Sequence, residues 1–123
     1  MSTCILVVDD NPINLKLASE LLEMEGYEVL RASDAEEAQS ILGEARPELI
    51  LMDIALPGMD GLALTRKLKS TPGLAHVPII ALSAFAMKGD EEKALASGCD
   101  GYITKPINTR TFPTQIKGHL RRA

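Results

Sequence analysis

The chain has 123 residues, 46% of them hydrophobic and 24% charged, which is enough for one sizeable core and too little for two. Seventeen acids against thirteen bases leave a net charge of -4, so nothing in the overall charge draws the chain to nucleic acid or to an anionic membrane. Aromatics make up 3% and Trp is absent, which argues against a stacking platform for single strands and leaves Leu, Ile, Val, Ala and Met to fill the core.

Cys4-Ile5-Leu6-Val7-Val8 is a β-branched apolar run that predicts a strand, and it ends in Asp9-Asp10. Asn11 before Pro12 reads as an N-cap and first helical residue; Ile13, Leu17, Leu21 and Met24 then recur at helical spacing until Gly26 stops the helix. A second, weaker strand runs from Tyr27 to Ala32. Asp34 with Glu37 three residues later forms a capping box ahead of Ala38, Ile41, Leu42 and Ala45, and Pro47 ends that second helix.

Leu49-Ile50-Leu51-Met52 is apolar without polar alternation, the pattern of a parallel strand covered on both faces. It stops at Asp53, and Pro57, Gly58 and Gly61 follow as turn residues before a third helix through Leu64 and Leu68 to about Ser70. Thr71-Pro72-Gly73 is a turn. Val77 to Leu82 is a fourth strand that delivers Ser83, with Pro78 tolerable at its start. The stretch from Ala84 to Gly89 shows no clear period. A short helix from Asp90 to Ser97 ends at Gly98, and Asp100 to Thr104 is a fifth strand closed by Lys105-Pro106. The last helix runs from Asn108 or Thr111 to Leu120. Pro113 falls inside it, where it removes a hydrogen bond, so that helix is expected to start late or bend.

The order βαβαβαβαβα predicts one α/β domain over residues 1–123, a doubly wound parallel sheet with right-handed crossovers. All strands of such a sheet end on one edge, so Asp9, Asp10, Asp53, Ser83 and Lys105 are expected to converge in one pocket. Three carboxylates in one place repel one another unless a divalent cation sits among them. Mg2+ fits best, because an all-oxygen site with few protein ligands leaves positions for water and a phosphate.

The whole chain resembles the receiver domains of two-component response regulators (CheY-like). The acidic pair after strand one, Asp53 ending strand three, Ser83 thirty residues on and Lys105-Pro106 twenty-two residues beyond that carry the likeness. Ala84-Phe85-Ala86-Met87-Lys88-Gly89-Asp90-Glu91-Glu92 and Gly98-Cys99-Asp100-Gly101-Tyr102 look closest to DivK-type single-domain regulators, and similar stretches occur in receivers attached to hybrid histidine kinases. The resemblance implies a flavodoxin-like sheet of strand order 2-1-3-4-5. It implies that Asp53 takes a phosphoryl group from a histidine kinase or phosphotransfer protein, with Mg2+ held by Asp10, Asp53 and the Ala55 carbonyl, and by Asp9 through water. Lys105 and Ser83 would contact further phosphoryl oxygens, and Lys105-Pro106 would be a cis peptide. Tyr102 would be the switch aromatic, turning inward as Ser83 moves and so reshaping a surface with Phe85 and the last helix for a downstream effector.

Two rivals differ in class. A haloacid-dehalogenase-type phosphatase needs a second acid two residues after its nucleophile, and Ala55 stands there. A flavodoxin needs a Ser/Thr/Gly-rich phosphate loop after strand one, which Asp9-Asp10-Asn11-Pro12 does not supply. The function expected is therefore a signalling switch with slow self-dephosphorylation, not a turnover enzyme. No apolar run approaches the ~20 residues that span a bilayer, and Met1-Ser2-Thr3-Cys4 lacks a basic signal region, so a cytoplasmic location without membrane or nucleic-acid partners is expected. Met1 just before strand one favours a free-standing protein over a hybrid-kinase fragment. Cys4 and Cys99 match no metal spacing and are expected as small buried hydrophobes, His76 and His119 as surface residues.

Overall fold

The computed structural model describes residues 3–54, 61–83 and 89–122. Its elements follow the expected alternation: β1 (Cys4–Val8), α1 (Pro12–Met24), β2 (Glu28–Ala32), α2 (Ala35–Leu42), β3 (Leu49–Asp53), α3 (Gly61–Lys69), β4 (Ile79–Ser83), α4 (Asp90–Ala96), β5 (Gly101–Thr104) and α5 (Phe112–Arg122). The five strands form one parallel sheet in the order β2-β1-β3-β4-β5.

The unbroken apolar runs of β1, β3 and β4 have a direct cause. Ile5, Val7, Leu49, Leu51, Ile80 and Leu82 pack with Ala18 and Leu22 of α1 and Phe112 and Ile116 of α5. Leu6, Val8, Ile50, Met52, Ile79 and Ala81 pack on the other face with α2, α3 and α4. Successive side chains of a strand point to opposite faces, so with helices on both, every position of β3 and β4 and every position of β1 after Cys4 is buried.

Local sequence sets most helix ends. Asn11 caps α1 by accepting from the N–H groups of Ile13 and Asn14, and Asp34 caps α2 by accepting from Glu37 N at 2.7 Å. The returning arm of the expected capping box lands one residue early, on Ser33 N rather than Asp34 N. α5 does start late: Asn108 Oδ1 accepts from Arg110 N and Thr111 N in a preceding turn, which leaves Pro113 second in the helix, where a missing N–H costs nothing.

Five local expectations change. α2 ends at Leu42 and not near Ala45, because Gly43 takes over the cap, its N–H donating to Gln39 O. The cap of α4 is Ser97, and Gly98 follows it at φ +108, the left-handed conformation that glycine alone adopts without strain. The spacing of Ile13 and Met24 suggested the buried stripe of α1, yet both are exposed, and Ala18, Ser19 and Leu22 are the buried residues. Leu17 and Leu21 of the expected stripe are half-buried against the core, so the centre of the stripe holds and its two ends do not. His119 is half-buried against β5, and a Cβ on Gly101 would overlap its ring. Cys99 is buried as expected, but Cys4, near the start of β1, is only half-buried.

Candidate functional site

Parallel pairing brings the strand ends together in register. Val8 pairs with Met52, Asp53 with Leu82 and Ser83 with Thr104, so Asp9, Asp53, Ser83 and Lys105 emerge side by side on the carboxyl edge. Asp9, Asp53 and Ser83 are buried and Asp10 is exposed, which puts the pocket's floor in the sheet and its mouth at Asp10. Lys105 N donates to Ser83 O at 2.7 Å, extending the ladder one step and aiming the lysine back over β3 and β1. The Lys105-Pro106 peptide is cis, as expected.

Lys105 Nζ donates to Asp53 Oδ2 at 3.1 Å and lies 3.0 Å from Asp9 Oδ2, the latter an ion pair whose angles fall short of a hydrogen bond. Asp9 Oδ1 accepts from Asn11 N at 2.9 Å, so the same turn that caps α1 also orients this carboxylate. Asp9 Oδ2 is fully buried and accepts no hydrogen bond among the described residues. The cation that meets its charge is the Lys105 ammonium, 3.0 Å away. Burial pushes the Asp9 carboxyl above the ordinary aspartate range, and the nearby Asp53 charge adds to this against the pull of Asn11 N–H and Lys105. Burial works against the Lys105 ammonium too, but the Asp9 and Asp53 carboxylates outweigh it and raise its pKa.

One oxygen from each of Asp9, Asp10 and Asp53 lies within 4.8 Å of the other two. Two carboxylates at that separation repel by about 3.5 kcal/mol at an effective dielectric of about 20. Three negative charges against the single ammonium leave the cluster at about -2, the charge a divalent cation would cancel. The all-oxygen donor set fits Mg2+. The Ala55 carbonyl expected as a further ligand lies outside the described residues, as does Phe85.

Tyr102 sits opposite Ala81 on β5, half-buried against the α2–α4 side of the core. The ring lines a groove between α4 and α5. His76 is exposed near the opposite edge of the sheet, away from the acidic cluster. One residue of the site carried no chemical signal in the sequence beyond its place in a turn. Gly61 opens α3 with its N–H on Ile54 O at 3.2 Å, and a Cβ there would overlap the Asp53 carbonyl and approach Ile54 Cα to 2.6 Å. Only glycine lets α3 sit against the segment that carries Asp53.

A doubly wound sheet with an acid triad and a lysine on its carboxyl edge is the architecture of a receiver, and the family comparison agrees. Residues 5–117 match the response regulator receiver domain, and the chain belongs to that family. Among named relatives, it is similar to the polar-differentiation response regulator DivK of Brucella anthropi, 47% identical over 120 residues and covering 98% of both chains. A putative response regulator from Chloroflexus aurantiacus matches with a TM-score of 0.95 at 28% identity, over 99% of this chain and 100% of that one. The receiver domain of a sensor histidine kinase from Pseudomonas aeruginosa, solved with magnesium coordinated in its active-site cleft, matches with a TM-score of 0.89 at 33% identity, over 98% of this chain and 99% of that one. The protein is thus a signalling switch of the two-component class rather than an enzyme that turns over a substrate.

Proposed function

We propose that Asp53 is the phosphoacceptor. The observation that carries this is the Lys105 ammonium, 3.1 Å from Asp53 Oδ2 and 3.0 Å from Asp9 Oδ2, beside the buried acids of the cluster. An Asp53 carboxylate oxygen attacks the phosphorus of a phosphohistidine on a histidine kinase or phosphotransfer protein. The O–P bond forms as the P–N bond breaks, and the electron pair returns to the imidazole. Mg2+, held by Asp10 and Asp53 with Asp9 behind them, would neutralise charge on the phosphoryl oxygens as the transfer proceeds.

The chain's own residues then do the positioning. Lys105 swings from its carboxylate partners to a phosphoryl oxygen, exchanging one anion for another, and the Ser83 hydroxyl donates to a second oxygen. The new dianion draws Ser83 toward it, and Tyr102 and α5 respond as the two-state surface read by an effector protein. With no described helix long and apolar enough to cross a membrane and a net charge of -4, the expected setting is the cytoplasm, with protein partners rather than nucleic acid or membrane.

Intact-mass spectrometry after incubation with Mg2+ and acetyl phosphate tests this. The parent should gain one phosphoryl group, and Asp53→Asn should gain none while keeping its fold. A persistent adduct on Asp53→Asn would move the nucleophile elsewhere.

A further inference from the structure

At the edge of the sheet opposite the acid cluster, the segments that lead into β1, β3 and β4 meet the end of α5 around a pocket of about 530 Å³. That size falls within the range of small-molecule sites. Pro47, Val77, Pro78 and Leu120 give it an apolar lining, and the permanent charges among its described residues are Arg46 and Glu48, one of each sign. Hydrogen bonds hold the walls in place. Glu48 N donates to Cys4 O at 2.8 Å, and Glu48 Oε2 accepts from Cys4 N at 2.6 Å. Lys69 Nζ, paired with Asp100 at 2.8 Å, donates to Val77 O at 2.8 Å and so pins the segment ahead of β4.

Arg46 keeps one edge of its guanidinium uncommitted. Its Nη1 donates to Leu42 O and, at 3.5 Å, to Ala45 O, so that corner is taken up by the carbonyls at the end of α2. Nε and Nη2, the pair of donors that a carboxylate takes side-on, both lie 3.8 Å from where a Cβ on Gly73 would stand. Glycine at that position, at φ +86, puts no side chain over this edge. No described carboxylate makes an ion pair with Arg46.

We propose that this pocket binds a small zwitterion with an apolar body, of the class of apolar α-amino acids. Its carboxylate lies on the Nε–Nη2 edge of Arg46, its ammonium faces Glu48, and its side chain covers Val77, Pro78 and Leu120. A simple anion would meet Arg46 but be repelled by Glu48, and a simple cation would meet the reverse. Because Leu120 belongs to α5, an occupant ties that helix to the starts of β3 and β4. The pocket lies across the sheet from Asp53, so the inference goes beyond the phosphoacceptor reading and does not depend on it.

The test titrates the full chain, unphosphorylated and at neutral pH, with L-leucine followed by amide NMR. Three controls each remove one feature: N-acetyl-L-leucine lacks the ammonium, L-leucinamide the carboxylate, and glycine the apolar body. Leucine should saturate at millimolar concentration and shift the amides of Glu48, Gly73, His76 and Val77. Each control should bind at least about tenfold more weakly, the size of a lost hydrogen bond to a charged group or of a lost apolar side chain. Arg46→Lys keeps the charge but loses the side-on pair of donors, and Glu48→Gln keeps an oxygen for Cys4 N but loses the charge. Each should weaken leucine several-fold and leave the rest of the spectrum in place. No shift at these amides with tens of millimolar leucine would overturn the site. A control that bound as tightly as leucine, or an unchanged affinity in either variant, would overturn the zwitterion assignment.

Discussion

Substituting Gly61 with alanine should damage phosphate uptake through a residue that is not itself a ligand or an acid. A Cβ at position 61 would lie 2.6 Å from Ile54 Cα and closer still to the Asp53 carbonyl oxygen, against about 3.4 Å for ordinary contact, so α3 and the Asp53–Ile54 segment must part by at least about 0.8 Å. Overpacking of this kind costs about 1–3 kcal/mol, offset by roughly 0.4–1 kcal/mol because alanine restricts the unfolded chain. The net loss of about 0–2.6 kcal/mol lowers Tm by up to several degrees for a chain of this size. Reacting groups displaced by nearly 1 Å lose rate on the order of ten- to a hundredfold, so phosphorylation of Gly61→Ala by acetyl phosphate, followed by intact mass, should slow by that factor. Gly118→Ala is the control. A Cβ there meets nothing within 4 Å, and within α5 alanine is the better helix former, so stability should hold or rise and uptake stay as in the parent. A Gly61→Ala variant that matched Gly118→Ala in both Tm and rate would refute the argument that close approach of α3 positions Asp53.

Lys105→Met leaves the buried Asp9 and Asp53 carboxylates without their cation and should cost roughly 3 kcal/mol at pH 7 without Mg2+. Asp9 already titrates above the ordinary range in the folded chain, so protons favour the folded form, and the deficit should shrink as pH falls through that raised range; a deficit independent of pH in thermal melts would argue against this origin. Mg2+ at ten times its Kd should stabilise the parent by about 1.4 kcal/mol, and Asp10→Asn should abolish most of that rise in Tm. Equal Mg2+ responses in the two proteins would remove Asp10 from the site. Burial pushes both thiols up, but Cys99 is 5% exposed and Cys4 only half-buried, so a disulfide reagent should label Cys4 alone in the native protein and Cys99 only on unfolding. Rapid labelling of both would contradict the packing of Cys99 beside Thr65.

Much of this molecule is readable along the chain because its signals are local. An apolar run long enough for a strand, Asn11 before Pro12, and Asp34 three residues ahead of Glu37 each act within a turn or two, and they yield the element order and hence the parallel sheet. The list of site residues follows from that order, since a parallel sheet puts every strand's carboxyl end on one edge. The exposed ends of the α1 stripe misled for the same reason: Ile13 and Met24 have the spacing of a core stripe, and how much of that stripe is buried depends on how α1 rolls against β1 and α5.

What the sequence by itself determined is the alternation of strands and helices, the bounds of most of them, and the acids, hydroxyl and lysine waiting at strand ends. Tertiary structure alone decided that Lys105 reaches Asp9 and Asp53 at once, that Asp9 is buried beside that ammonium, that Gly61 must have no side chain, and that His119 presses on Gly101. Each of these is a distance between residues far apart in the chain. Such distances are set by the register of strands and the seating of helices to within fractions of an ångström, and no local pattern of residues encodes them.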